Sequence, residues 1–167
     1  MTLNKLSVFC ILRLFLFWRR ATIRSMRRSD WTLCAIGLAG DRGLSPVQLQ
    51  KTLFLLGEER AEEVGPDFYQ FIPYNYGPFD ASVYHDASSL ADEGFVSISC
   101  SVRGFNIYSI TPKGARHAEE TQRFAHPRAI EYLKRVVDWA QGLSFSQLVR
   151  AIYAKYPEYR ENSVFQG

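Results

Sequence analysis

Four helix-start signals divide this sequence into short helices and so limit the folds open to it. A serine or threonine N-cap followed by proline, or by glutamine three residues later, is typical of a first helical turn. Ser45-Pro46, Thr111-Pro112 and Ser144 with Gln147 have this pattern, and Asp80 is a further N-cap. With apolar residues at helical spacing, the pattern predicts helices from 30 to 39, from 80 to 93, from 127 to 141 and from 144 to 156, and one that starts at 112. A further helix starts at 46 and has an acidic end that Gly65-Pro66 breaks. Ser29 or Asp30 is expected to cap the first helix.

Strand patterns lie between these helices. Residues 68–74 alternate as in a short strand, and residues 75–79 are predicted to form the turn after it. Residues 95–100 and 105–111 predict a hairpin. The order helix, helix, strand, helix, hairpin predicts an α+β protein: a winged helix-turn-helix core with an inserted short strand and additional C-terminal helices.

Charge is distributed unevenly along the chain. Residues 1–28 carry seven basic and no acidic side chains, whereas the remaining residues carry 13 basic and 17 acidic ones. We therefore predict a basic and apolar extension over 1–28 and one mildly acidic domain over 29–167. That domain lacks the positive charge typical of nucleic-acid binding.

The apolar run from Leu6 to Trp18 is too short to span a membrane, and the basic residues lie on the wrong side of it for a signal peptide. A membrane-associating tail and a tail that packs on a partner are two interpretations. The favoured one is that translation starts at Met26 and that the first 25 residues come from an over-extended reading frame.

The sequence gives little sign of catalysis, and we predict a protein that is not an enzyme. No HExxH, Walker or GxSxG motif and no paired Cys/His spacing occurs, so we expect no metal and no cofactor. Cys10, Cys34 and Cys100 are an odd number without CxxC spacing, which favours a reducing, cytoplasmic location. Cys34 and Cys100 are expected to be buried.

Two segments carry a family resemblance. Residues 46–55, PVQLQKTLFL, and Tyr76-Gly77-Pro78 followed by Val83-Tyr84 resemble the "LQKLLYL" and "YGPV…VY" segments of Panacea-type (SocA-like) antitoxin domains. Uncharacterised bacterial proteins with a "YGPYS" turn are more similar still. The resemblance covers about residues 45–97. It implies a winged-helix adaptor or neutralising module, encoded beside a toxin or within defence genes.

The tyrosine-rich turn has two interpretations. Gly77 and Pro78 can serve the turn itself while the tyrosines cover the core edge. Alternatively, the aromatic residues form a surface that binds a partner protein, such as a toxin or defence component, because aromatic side chains often anchor interfaces. The predicted partner-binding residues are Gln50, Lys51, Tyr74, Tyr76, Phe79 and Tyr84.

A DNA-binding transcription regulator acting as a dimer is the alternative function. The third helix would then enter the major groove. That helix contains Asp80, Asp86, Asp92 and Glu93 but no lysine or arginine, which disfavours DNA. The candidate nucleic-acid contacts are His85, Ser89, Arg103 and Lys113.

The helix over 127–141 has two apolar faces. Leu133 and Val137 belong to one face, and Val136 and Trp139 belong to the other. The second face either packs within the domain or forms a homodimer interface between the C-terminal helices.

Overall fold

The computed structural model describes residues 25–166, and the predictions for the preceding segment lie outside these residues. The helices are α1 (Arg28–Leu38), α2 (Pro46–Glu59), α3 (Ala61–Val64), α4 (Ala81–Asp92), α5 (Pro112–Gln122), α6 (Pro127–Gln141) and α7 (Phe145–Lys155). The strands are β1 (Ile72–Tyr74), β2 (Gly77–Phe79), β3 (Val96–Cys100) and β4 (Asn106–Ile110), and 3₁₀ turns cover Gly40–Arg42 and Pro157–Arg160. The described residues therefore form an α+β fold, as predicted.

Helix α1 begins earlier than the sequence suggested. Its N-cap is Arg27 rather than Ser29 or Asp30. Asp30 lies in the first turn, where its Oδ2 accepts a hydrogen bond from the backbone N–H of Arg27 at 2.9 Å. The carboxylate thus acts as the third-position partner that reaches back to the N-cap, a role that can be mistaken for the cap itself.

Helix α2 begins as predicted and lies at the centre of the molecule. Ser45 Oγ accepts the N–H of Gln48, and Gln48 Oε1 accepts the N–H of Ser45. Every residue from 49 to 56 is buried, including polar ones, because α1, α6, α7 and β2 pack around this helix. A helix surrounded in this way buries polar side chains that an amphipathic helix would expose.

The segment before α4 is a hairpin rather than one strand followed by a turn. The predicted strand over 68–74 is wrong in its first half, and the predicted turn over 75–79 contains strand β2. Strands β1 and β2 pair in antiparallel register, with Tyr74 opposite Gly77 and Pro73 opposite Pro78. The ladder stays short because neither proline has an N–H to donate. Gly77 has a φ of 94°, which favours glycine at this position.

Helix α4 and the β3–β4 hairpin agree with the predictions. Asp80 Oδ1 accepts the N–H of Ser82 at 2.8 Å, which confirms the N-cap. Gly94, with a φ of 77°, follows the last turn of α4. Strands β3 and β4 are antiparallel, with Val96 opposite Ile110, and each predicted strand end is within one residue of the observed one.

The two faces of α6 both contact other parts of the chain. Leu133 and Val137 lie in the main core, and Val136 packs in a second cluster with Phe54 and Ile152. Trp139 remains 40% exposed. Intramolecular packing therefore accounts for Val136 on the second face.

The two described cysteines differ in exposure. Cys34 is buried, but Cys100 is exposed at the end of β3, so the prediction that both are buried is wrong for Cys100.

Within residues 25–166, no helix has the length and apolar character needed to cross a membrane.

Candidate recognition groove

A groove of about 630 Å³ lies between α2, the β1–β2 hairpin, the β3–β4 hairpin and the start of α7. We call it the aromatic groove. All six predicted partner-binding residues contribute to its lining: Gln50, Lys51, Tyr74, Tyr76, Phe79 and Tyr84. The structure thus brings together side chains from α2, both strands of the β1–β2 hairpin with its turn, and α4. Their role in binding stays a prediction.

Gln50 forms part of the floor of the groove and is almost completely buried. Its Nε2 donates to the carbonyl oxygen of Asp80 at 2.8 Å, and its Oε1 accepts the N–H of Asp80 at 3.1 Å. The amide therefore satisfies both backbone groups of the residue that joins β2 to α4. Gln50 holds the turn in place, and its amide is not presented at an open surface as the sequence suggested.

Lys51 is also buried, with 3% of its surface exposed. Its Nζ donates to the carbonyl oxygen of Pro78 at 2.9 Å. Within the described residues, this ammonium group has no carboxylate partner. Burial lowers the pKa of Lys51 to about 7, because the charged form loses its hydration.

The aromatic rings along the groove form a continuous series of contacts. The Tyr74 ring stacks on Phe79 with centroids 4.9 Å apart, and Phe79 meets Tyr84 edge-on at 5.8 Å. Tyr84 in turn stacks on Tyr108 of β4, and burial raises the pKa of Tyr84 to about 12. Tyr74 and Tyr76 are 48% and 45% exposed, so they form the open edge of the groove.

Sequence reasoning missed the wall that α7 contributes. Phe145, at the first position of α7, is 43% exposed and meets Tyr76 edge-on with centroids 5.1 Å apart. The pattern that predicted the helix over 144–156 gave no indication that Phe145 reaches the tyrosine-rich turn. Phe105, beside the β3–β4 turn, also lines the groove and was not predicted.

The charge of the groove is positive. Among the described residues, its lining includes Lys51 and Arg103 but no aspartate or glutamate. Arg103 is exposed in the turn of the β3–β4 hairpin, whereas Lys51 lies at the floor. The groove therefore combines aromatic and apolar walls with one exposed and one buried basic group.

Of the four candidate nucleic-acid contacts, only Arg103 lines the aromatic groove. His85 is exposed on α4, and Ser89 donates its hydroxyl to the carbonyl oxygen of His85 at 3.1 Å. Lys113 donates to the carbonyl oxygen of Glu93 at 2.6 Å and lies 4.5 Å from the centroid of the Phe95 ring. The Ser89 hydrogen bond is an ordinary contact within α4, and the Lys113 hydrogen bond links the start of α5 to the end of α4.

Two of the acidic residues associated with α4 are used inside the molecule. Asp86 is buried and forms an ion pair with Arg28 at 2.9 Å, and it also accepts the Tyr69 hydroxyl at 2.8 Å. Asp80 caps the helix. The exposed acids are therefore Asp92 and Glu93 at the C-terminal end, so the count of four overstated the negative charge that α4 presents.

Residues 25–166 contain no group of three or more His, Cys, Asp or Glu side chains arranged to hold a metal ion. No protein-family model matches the chain, and no curated protein matches it. The resemblance of residues 45–97 to Panacea-type antitoxin domains therefore stays a prediction.

Proposed function

We propose that the chain is a non-enzymatic recognition module that binds a partner protein through the aromatic groove. The observation that carries this proposal is the meeting of half-exposed aromatic side chains from separate elements around one groove: Tyr74 and Tyr76 from the β1–β2 hairpin and Phe145 from α7. The resemblance of residues 45–97 to Panacea-type antitoxin domains favours an antitoxin-like or defence-associated regulator.

The physical character of the groove supports a protein ligand. Exposed aromatic side chains that gather at one place are the usual anchors of protein interfaces. The floor beneath them is fixed by the Gln50 and Lys51 hydrogen bonds to the turn, so a partner would meet a preformed surface. Preformed surfaces lose less conformational entropy on binding.

We also propose that the core is a winged helix. Helices α1, α2 and α4 would form the three-helix unit, and the β3–β4 hairpin would be the wing. The element order and the contacts of α1 with α2 and α4, and of α4 with β3, support this assignment. The β1–β2 hairpin is then an insertion before the third helix of that unit.

A DNA-binding role has less support. Helix α4 would be the recognition helix, and its exposed residues include His85 and Ser88 but no lysine or arginine. Phosphate contacts supply most of the affinity for DNA, and they need basic side chains beside the helix. Retention on DNA that falls steeply with salt would favour this alternative function.

The experiment is affinity capture from cells of the native source with the full chain as bait, followed by binding measurements with the purified partner. The double substitution Tyr76→Ala with Phe145→Ala should weaken binding about tenfold or more, because truncating interface anchors costs about 2 kcal/mol or more. Circular dichroism and thermal unfolding should show that the variant remains folded.

Trp139→Ala is the matched control, since it removes an aromatic residue of similar exposure from α6, outside the groove. It should leave partner binding unchanged. Loss of binding in Trp139→Ala with full binding in the double variant would place the interface on α6 and refute a role for the groove.

A further inference from the structure

Lys51 differs from the buried carboxylates of the described residues in having no partner of opposite charge. The buried carboxylates Asp30 and Asp86 each have an arginine partner, Arg27 and Arg28 respectively. Lys51 is buried to a similar degree, yet its Nζ has one carbonyl oxygen as acceptor within the described residues. An ammonium group can donate three hydrogen bonds, so Lys51 retains donor capacity at the floor of the groove.

A buried cation without an anion is costly, and a carboxylate placed beside it offsets that cost. The pKa of Lys51, lowered to about 7 by burial, reflects the missing partner. No aspartate or glutamate among residues 25–166 lines the groove. A ligand carboxylate would therefore supply the partner that Lys51 lacks among these residues.

We propose that the segment bound in the aromatic groove is acidic and apolar, and that one of its aspartate or glutamate side chains accepts a hydrogen bond from Lys51 Nζ. Its apolar side chains pack against Tyr74, Tyr76 and Phe145. This inference rests on the proposed function, because it assigns the chemistry of the partner segment that the groove receives.

The positions of the two basic groups favour acidic side chains within a segment over a chain terminus. Lys51 at the floor and Arg103 at the β3–β4 turn offer two places for carboxylates, whereas a C-terminus supplies one. A single-stranded nucleic acid would also stack on aromatic rings, but such sites track the phosphates with a basic groove. In the part of the chain that the structure describes, only Arg103 is an exposed basic residue of the lining.

The first test selects random peptides on the full chain. The peptides are displayed with their C-termini fused to a carrier, and binders retained by the Tyr76→Ala/Phe145→Ala double variant are removed. The retained sequences should combine apolar residues with at least one aspartate or glutamate. Groove binders without an acid would overturn the inference and leave the proposed function standing.

Two further arms identify other ligands. Enrichment only in a library with free C-termini would assign the carboxylate to a chain end. Displacement of the peptides by a short oligothymidylate, but not by matched salt, would assign the groove to single-stranded nucleic acid. Either result overturns the inference. If no library yields groove-dependent binders, both the inference and the proposed function are refuted.

The second test is a double-mutant cycle with the best peptide and the same peptide with its acid changed to the amide. On the unmodified chain, this change should weaken binding about tenfold or more, as for a buried charged pair. On Lys51→Met, it should change binding less than about threefold. An equal loss on both proteins would overturn the inference.

Lys134→Met is the matched control, because Lys134 is exposed on α6 and does not line the groove. It should behave as the unmodified chain does. If Lys51→Met does not fold, the test is the comparison of the acid peptide with the amide peptide on the unmodified chain. Equal affinities of the two peptides contradict the inference.

Discussion

At the scale of single residues, the protonation of Lys51 is coupled to folding. The pKa of Lys51 is about 7 in the folded chain because of burial, and the ordinary lysine pKa applies when the chain unfolds. Between these two values the unfolded state binds more protons than the folded state. Stability therefore increases as pH rises from about 7 towards 10.

This linkage predicts the behaviour of Lys51→Met. The free energy of unfolding of the unmodified chain, minus that of Lys51→Met, should rise by up to about 1.4 kcal/mol per pH unit between pH 7.5 and 9.5. Urea unfolding of both proteins across this range measures the difference. Taking the difference removes the contributions of other groups, including tyrosines such as Tyr84 whose pKa is raised. A flat difference would show that the Lys51 pKa is not lowered.

At the scale of secondary-structure elements, the Gln50 amide links α2 to the junction of β2 and α4. It satisfies the N–H of Asp80 and donates to its carbonyl oxygen, which also accepts the N–H of Val83, so removing the amide leaves the N–H without a partner. Gln50→Leu should lower the free energy of unfolding by about 1–3 kcal/mol, because that is the cost of one unsatisfied buried group, here the Asp80 N–H. Chemical denaturation measures this loss.

The matched control for this element is Gln122→Leu. The Gln122 side chain is half-buried at the end of α5 and makes no hydrogen bond to a described residue. Its substitution should change stability by less than about 0.5 kcal/mol. Equal losses in the two variants would mean that the bonds to Asp80 contribute little.

The same elements show how far the sequence could predict the fold. Ser45, Asp80 and Thr111 cap their helices as expected, because capping depends on residues that are close in sequence. The β1–β2 pairing was missed, since alternation over 68–74 carries no information about which residues lie opposite. Pro73 and Pro78 on paired strands also obscure a strand pattern.

At the scale of the whole molecule, the candidate site depends on contacts that are distant in sequence. The six predicted residues do meet in one groove, yet Gln50 and Lys51 are buried because β2 and its junction with α4 cover them, while α6 and α7 also pack on α2. Phe145 reaches Tyr76 through the same packing. Local patterns identify these residues as unusual, but they do not indicate which side chains the C-terminal helices will cover or bring to the groove.

The chain beyond α7 also contacts the tyrosine-rich turn. The N–H of Val164 donates to the carbonyl oxygen of Asn75 at 2.9 Å, and Ser163 Oγ lies 2.7 Å from the Tyr153 hydroxyl. The Phe165 ring lies 6.1 Å from Phe145, measured between centroids. The segment from Ser163 to Phe165 therefore braces the turn and the α7 wall of the groove from the side of the C-terminal helices.

A proline at Val164 tests this link between the end of the described chain and the groove. Val164→Pro removes the N–H that Asn75 accepts, so amide exchange at Tyr76 and Gly77 should become faster and stability should fall by about 1 kcal/mol. Val164→Ala keeps the N–H and loses a side chain that is mostly exposed, so it should leave exchange in the turn unchanged. Hydrogen exchange followed by NMR measures both variants. Unchanged exchange in Val164→Pro would mean that the Val164 N–H does not hold the turn, which also receives hydrogen bonds from Lys51 at Pro78 and from Ser163 at Asn75.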